Sequence, residues 1–314
     1  MNDSKLLTKR RSGLIHEIAK HRTLYLMFLP VTIYVLIFCY FPMSGVLLAF
    51  KHYTYTGGIF GSPWVGLNNF MFFFKSGKAL STTLNTIGFN LLFLTVYTTF
   101  SITIAILMSE IASKLYKKIA QSMMFLPYFI SWVVVSSFVY SMFNPEFGTV
   151  NYILKAFGAD PINIYSKVNY WYFLLPTFYL WKSIGYGTVF YLAAISGIDR
   201  ECYESAKIDG ANVFQRIFRI TLPLLKPTVI TLVLLSISNV LRGQFDMFYQ
   251  LIGSNGVLIG KTDIIDTLVF RSLTGILDFG MAAAAGFYQS FLCLFIILTV
   301  NFIVRKVDCE YALF

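Results

Sequence analysis

Charge is what this sequence has least of. Only 13% of its 314 residues are Asp, Glu, Lys or Arg, and 57% are hydrophobic, whereas a soluble domain carries roughly a quarter charged residues. A fold of this length could bury a large core, but 15 acidic and 25 basic residues cannot clothe the rest in a polar surface. The scarcity excludes a soluble domain and places most of the chain against lipid. Histidine is scarce too. His16, His21 and His52 all fall outside the apolar runs, and Asp246 is the one carboxylate those runs bring to membrane depth. Without H-E-x-x-H or G-x-S-x-G, no acid–base or nucleophilic set remains for an intramembrane enzyme. Of the four cysteines, Cys39 and Cys293 lie in apolar segments, and Cys202 and Cys309 near expected cytoplasmic surfaces. They have neither paired nor metal-ligand spacing, so no disulfide and no metal site are expected.

What is present is a series of apolar runs punctuated by basic clusters. A net charge of +10 is compatible with a nucleic-acid surface, but the Lys and Arg sit between the apolar runs rather than on one patch, so no nucleic acid is expected. The first 22 residues are basic, yet no short apolar core with an A-x-A-like cleavage site follows, and the first span is expected to be retained.

A bilayer core needs about 20 apolar residues in helical form. The runs Thr23 to Phe50, Ala79 to Ser109, Ile119 to Pro145 and Phe279 to Val304 qualify outright. Tyr170 to Ile195, with Lys182, and Thr228 to Tyr249, with Arg242 and Asp246, are apolar segments carrying charge. The expected fold is therefore an all-α integral membrane protein with six transmembrane helices, kinked at Pro30, Pro42 and Pro176. Residues 1–22 and 305–314 form tails, and 23–304 the membrane domain. Sixteen of the 25 basic residues fall in the tails and in the loops after spans two and four, against seven in the opposite loops. Because positive loops stay in the cytoplasm, both termini are expected there.

The loop between spans four and five, about 196–227, is polar on top of a helical rhythm. Val213, Ile217, Ile220 and Leu224 recur at helical spacing, Arg216 and Arg219 lie three apart, and Gly210 sits where two short helices need a sharp turn. The pattern reads helix, turn, helix, then Pro223 and Pro227 before the next span. Glu204, Ser205 and Ala206 set an acid beside two small side chains just before the turn, suited to close approach by another protein. The alternative is an amphipathic helix resting on lipid headgroups.

This segment resembles the cytoplasmic motif of binding-protein-dependent ABC importer permeases, E-A-A-x-x-D-G-A followed by I-x-L-P-x-x-x-P. Glu204, Ala206, Asp209, Gly210, Ala211, Phe214, Ile220, Leu222, Pro223 and Pro227 fall in register with it. Ser205, Cys202 and Asp199 depart from it; Ser205 keeps the site small, and Asp199 is placed to cap the first helix. Trp64-Val-Gly-Leu-Asn-Asn-Phe70 is similar to the W-V-G-L-x-N-F stretch of sugar permeases. Asp263-Ile-Ile-Asp-Thr-Leu-Val-Phe-Arg271 and the Gly-Phe-Tyr-Gln-Ser entry to the last span resemble LplB-type permeases for complex oligosaccharides and polysaccharide fragments.

The resemblance implies half of a bacterial cell-membrane importer. A second permease, usually a different chain, completes the pathway; two ATPase subunits dock on the coupling-helix loop between helices 4 and 5; an external solute-binding protein delivers the carbohydrate. ATP and Mg would then sit on the ATPase subunits, with no cofactor on this chain, and the coupling residues would be Glu204, Ser205, Ala206, Asp209, Gly210, Ala211, Phe214, Leu222 and Pro223. In keeping with this, Gly256-Val-Leu-Ile-Gly-Lys-Thr262 falls short of a phosphate-binding loop because Asn255 stands where glycine is required. A passive channel or ion-coupled transporter also fits six spans, but neither accounts for the E-x-A-x-x-D-G-A segment.

Ionisable groups at membrane depth usually face a partner or a wet cavity. Lys182, Arg242 and Asp246 are accordingly candidates for the pathway or its gate, and the last two, four apart, would share a helix face. Snorkelling or structural pairing is the plainer alternative. Sugars are held by aromatic faces and amides, which adds Trp132, Tyr140, Asn239, Tyr249 and Gln289, although an aromatic in a span more often packs or lies in the interfacial belt. Ser236, Ser238 and Ala282 to Ala285 suit close helix packing. The charge asymmetry predicts that a membrane-impermeant thiol reagent reaches a cysteine at position 62 or 263 in intact cells and fails to reach one at 215; the reverse pattern would invert the orientation.

Overall fold

The structure is a computed structural model and describes residues 21–307. The tail residues expected to be cytoplasmic, 1–20 and 308–314, with Cys309, lie outside the described residues. Among the described residues the regular structure is all helical, apart from an isolated antiparallel bridge between Lys51 and Trp64. Its principal helices are α1 (Arg22–Phe50), α2 (Asn68–Lys75), α3 (Lys78–Ser109), α4 (Lys114–Phe129), α5 (Trp132–Phe143), α6 (Thr149–Ala156), α7 (Asn169–Ser196), α8 (Arg200–Ile208), α9 (Val213–Ile237), α10 (Phe245–Ile252), α11 (Gly256–Thr262), α12 (Ile265–Arg271) and α13 (Phe279–Val307).

Among the described residues, four helices (α1, α3, α9 and α13) are long and apolar enough to cross a bilayer, and a fifth crossing follows if α4 and α5 count as one bent span. Helix α7 has the length, 28 residues, but not the apolarity. It is the centre of the bundle, with Trp171, Leu175, Pro176, Tyr191 and Leu192 all buried, so much of its surface is covered by protein rather than lipid. The expected kink at Pro42 coincides with a change of ladder: π-helical Leu36–Tyr40 gives way to 3₁₀-helical Phe41–Phe50, which accommodates the N–H that proline lacks.

Two glycines on α7 permit its close packing. A Cβ on Gly185 would lie 2.1 Å from the Met124 carbonyl oxygen of α4, and one on Gly187 would lie 2.5 Å from Ser101 Oγ of α3. Further along the same contact, Phe93 stacks on Tyr179 at 4.8 Å and Phe89 on Tyr172 at 5.7 Å. One apolar cluster joins α3, α5, α7 and α10 around Phe93, Val139, Trp171 and Met247. A second joins α3, α7 and α9 around Ile106, Tyr191 and Leu225. Ala285 of α13 packs on Phe73 and Leu268 as its size suggested.

Three expected elements take a different form. The run Ile119 to Pro145 is not one straight helix: α4 and α5 meet at 92°. Pro127 tightens the end of α4 into a 3₁₀ turn, Ile130 is extended, and Ser131 Oγ accepts a hydrogen bond from Val134 N–H to start α5 afresh. The fifth span begins at Val213 rather than Thr228 and ends at Ile237. The anticipated second short helix is its first turns, carried into Pro223 by a π-helical turn over Ile217–Thr221. After Ile237 the chain is irregular until α10, so Thr228 to Tyr249 is a broken element.

Burial also refines the labelling sites, because Ser62 is only 3% exposed and Asp263 is ion-paired with Arg271. Phe157 and Ile208, both 86% exposed, are better reporters of the two sides in a chain freed of its native cysteines. The α7 packing predicts that Gly185→Ala lowers the melting temperature of the detergent-purified chain, with overpacking costing about 1–3 kcal/mol. Gly286→Ala, whose Cβ would meet nothing within 4 Å, should shift it far less; equal shifts would contradict this packing.

Candidate functional site: an exposed helical turn and a polar track

The turn between α8 and α9 is built by local rules. Asp199 Oδ1 accepts from Glu201 N–H at 3.0 Å and caps α8, as its position suggested. At the other end Gly210 N–H donates to Lys207 O at 3.1 Å and Ala211 N–H to Ala206 O at 2.9 Å. This is the paired closure of a helix that ends on a left-handed residue, and Gly210 has φ +80°. A side chain there would meet no neighbour within 4 Å, so glycine is required by backbone conformation alone. Asn212 and Gln215 then exchange hydrogen bonds of 2.8 and 2.9 Å in a capping box that opens α9.

No residue of α8 is buried. Glu204, Ser205, Asp209 and Gly210 are exposed, Ala206 and Ala211 half-buried, and Ile208 and Phe214 present apolar side chains at 86% and 73% exposure. Ala206, Asp209, Gly210 and Ala211 line one cleft of about 340 Å³, with Gln215, Arg216, Arg219 and Ile220. Leu222 lies against the α3–α7–α9 cluster, and exposed Pro223 sits in the first turn after the π-helical segment, so both lie on the span that continues from the turn. Tyr203 and Thr221 share a hydroxyl hydrogen bond of 3.0 Å that ties α8 to α9.

The remaining sequence candidates gather in a second region. Three cavities of about 420, 550 and 430 Å³ adjoin one another: Gln244 lines the first and second, Gln250 the second and third. Asn239 and Arg242 belong to the first, Trp132, Lys182 and Asp246 to the second, and Tyr140 to the third. Ser236 lines the first as well, so it faces the cavity. Gln244 and Gln250, which join the cavities, escaped the sequence reading; their signal was two amides flanking Asp246 in an apolar stretch. Tyr165 also lines the third cavity, and burial, then Tyr140, raises its phenol to about 12, keeping it a neutral donor.

Arg242 and Asp246 do not share a helix face. Arg242 lies in the break between α9 and α10 and Asp246 in the first turn of α10, and no ion pair joins them among the described residues. The break is held from outside. Asp266 Oδ2 accepts from Gly243 N–H at 2.7 Å, while Gln289 Nε2 donates to Leu241 O at 2.6 Å and to Asp266 Oδ1 at 3.1 Å. Gln289, half-buried, therefore braces the break and is not among the residues that line the three cavities. Tyr249 is likewise off the track, stacked on Phe245 at 5.4 Å and edge-on to Phe270 at 4.8 Å. Lys182 Nζ donates to Tyr128 O at 2.6 Å and Pro127 O at 3.4 Å, capping the end of α4, and lies 5.6 Å from the Trp132 ring centre.

The near-miss phosphate loop is an ordinary helix, α11. Asn255 Oδ1 accepts from Val257 N–H at 3.0 Å and Leu258 N–H at 3.4 Å, so the residue that spoils the motif is a helix cap.

A membrane-spanning helical bundle with an exposed helical turn and a polar track is the architecture of a transport subunit. The family of binding-protein-dependent transport system inner membrane components matches residues 98–308, and the chain belongs to it. Within that family it is similar to the polygalacturonan/rhamnogalacturonan transport system permease protein YteP of Bacillus subtilis, at 31% identity over 95% of this chain and 92% of YteP. Protein LplB of Bacillus subtilis is 32% identical over 93% of this chain and 91% of its own length, so the chain is an LplB-like permease. Among solved structures, a bacterial ABC transporter involved in the import of the acidic polysaccharide alginate superposes with a TM-score of 0.86. It is 31% identical and covers 95% of this chain and 100% of its own.

Since Arg242 and Asp246 occupy separate cavities and form no pair, alanine at each should act independently. Loss of a polar contact worth about 1 kcal/mol corresponds to an about fivefold lower transport rate, and the double variant should show the product of the single effects. A double variant no worse than either single one would show that the two residues pair.

Proposed function

We propose that this chain is one permease half of an ATP-driven importer of oligosaccharides or polysaccharide fragments, and that the α8–α9 turn couples it to an ATPase. The observation that carries the coupling is the turn itself, rigid by its hydrogen bonds yet exposed at Glu204, Ile208 and Phe214. In a chain with no nucleotide-binding loop, closure of a separate ATPase pair can open and shut the membrane pathway only through such a contact. A ligand or partner shifts a conformational equilibrium only as far as it touches the two states differently.

In this reading α7 and the α4–α5 pair complete six crossings, both termini and the α8–α9 turn are cytoplasmic, and MgATP is held by two ATPase subunits. A second, different permease lines the other side of the pathway, and an external solute-binding protein delivers the sugar. Relatives support this reading. One neighbour is the alginate transporter in complex with its alginate pentasaccharide-bound periplasmic protein, and YteP is named for polygalacturonan and rhamnogalacturonan. The track suits such cargo: Trp132 offers a face for sugar C–H groups, Asn239, Gln244 and Gln250 offer rim hydrogen bonds, and Lys182 and Arg242 outnumber Asp246.

Proline cannot adopt the φ of +80° at Gly210, because its ring holds φ near about −65°. Gly210→Pro should therefore reach the membrane and pair with the second permease but lose copurification of the ATPase, and Glu204→Lys should weaken it by reversing an exposed charge. Uptake should fall with both. Normal uptake and normal ATPase copurification in both variants would overturn the coupling role.

A further inference from the structure

At the inner edge of the cleft beside the exposed turn lies a group whose charge turns into the protein rather than outward. Arg216 is 8% exposed, the buried residue of a largely exposed segment. Its Nη2 lies 3.5 Å from Oε2 of Glu110, the residue that ends α3, and its Nε is shielded from solvent without a hydrogen-bond partner. Charge-assisted N–H···O bonds are ordinarily about 2.7–2.9 Å long, and Arg meets a carboxylate best through two parallel bonds. Here one prong is stretched and the other empty. A buried N–H without an acceptor is destabilising, so the arrangement favours any movement that supplies one. Glu110, already 3.5 Å from the neighbouring Nη2, is a carboxylate that can supply one. Its side chain keeps 38% exposure, which leaves it room to turn, and it sits at the end of the helix that packs along α7.

Resting on the coupling role proposed above, we infer that Arg216 and Glu110 are positioning residues that form a two-position latch between the docked turn and α3. In the state described here the latch is loose. In the opposite state of the transport cycle both Glu110 oxygens engage Nε and Nη2 of Arg216, so displacement of α8 and the start of α9 is delivered to α3. The α3–α7–α9 cluster around Ile106, Tyr191 and Leu225 then carries it into the bundle as one block. The contact differs between states, which is what allows ATPase closure to bias them.

The test uses the reconstituted complex of both permeases and the ATPase pair. In a background without native cysteines, Glu110→Cys with Arg216→Cys is treated with a short bifunctional maleimide, either nucleotide-free or trapped with MgATP and vanadate. The latch predicts a several-fold difference in cross-linking yield between the two states; equal yields overturn it. With native cysteines, Glu110→Gln and Arg216→Lys should each lower MgATP-driven turnover about tenfold, the value of a charge-assisted bond, and the double variant no further. Arg216→Lys keeps the charge and loses only the planar fork, so turnover at the wild-type level in that variant, or an about hundredfold loss in the double, also overturns the latch. Should Arg216→Lys fail to assemble, Glu110→Gln and Glu110→Asp must differ in turnover, since only Asp retains a carboxylate. If Gly210→Pro and Glu204→Lys both keep normal uptake and normal ATPase copurification, the coupling role fails and the latch with it. If Gly210→Pro loses the ATPase while cross-linking is the same in both states, the latch alone fails.

Discussion

Inside a bilayer no water is available to satisfy a peptide group, so each backbone N–H and C=O must find its partner within the protein. Most of this chain meets that constraint by remaining helical. Where helices break, side chains or caps replace the missing bonds: Lys182 covers the Tyr128 carbonyl and shares that of Pro127 with Ile130 N–H, and Asp266 and Gln289 hold the irregular stretch through Leu241 and Gly243. Both braces reach across from another helix, so each break is fixed relative to the bundle.

The breaks are also where the chemistry collects. The bend between α4 and α5 and the interruption between α9 and α10 both border the middle cavity, bringing Trp132, Lys182, Gln244 and Asp246 to one space. A continuous helix has no backbone groups to offer and sends side chains outward at fixed intervals. Interrupting it frees carbonyls and redirects side chains, and polar residues that would be costly against lipid gain partners there. The π-helical turns over Leu36–Tyr40 and Ile217–Thr221 serve a milder version of the same need, each lying just before a proline.

At the α8–α9 end the logic is that of a water-exposed protein. Asp199, Gly210 and the Asn212–Gln215 pair satisfy helix ends through local side chains and a left-handed residue, with no help from the bundle. That self-sufficiency makes the turn rigid while leaving its surface free, and the Tyr203–Thr221 hydrogen bond anchors it to the spans, with Arg216 and Glu110 in looser contact beside it.

Composition and local pattern were enough to determine a membrane-embedded helical chain, the Asp199 cap, the Gly210 turn and the family to which the chain belongs, because hydropathy, capping and left-handed turns depend on residues adjacent in sequence. The track was only half legible. Trp132, Lys182, Asn239, Arg242 and Asp246 were identifiable as polar or aromatic groups in apolar runs, but Gln244 and Gln250 were missed, and Tyr249 and Gln289 proved to be packing and bracing residues. Thr228 to Tyr249 reads as one apolar stretch, and nothing local announces that it stops at Ile237. That depends on Asp266, on Gln289 and on Ile264, whose Cδ1 would lie 2.4 Å from a Cβ on Gly243. Tertiary structure alone decided that Arg242 and Asp246 stand apart and that Arg216 turns inward to Glu110, because each outcome rests on contacts between residues distant in sequence or on a break that such contacts hold.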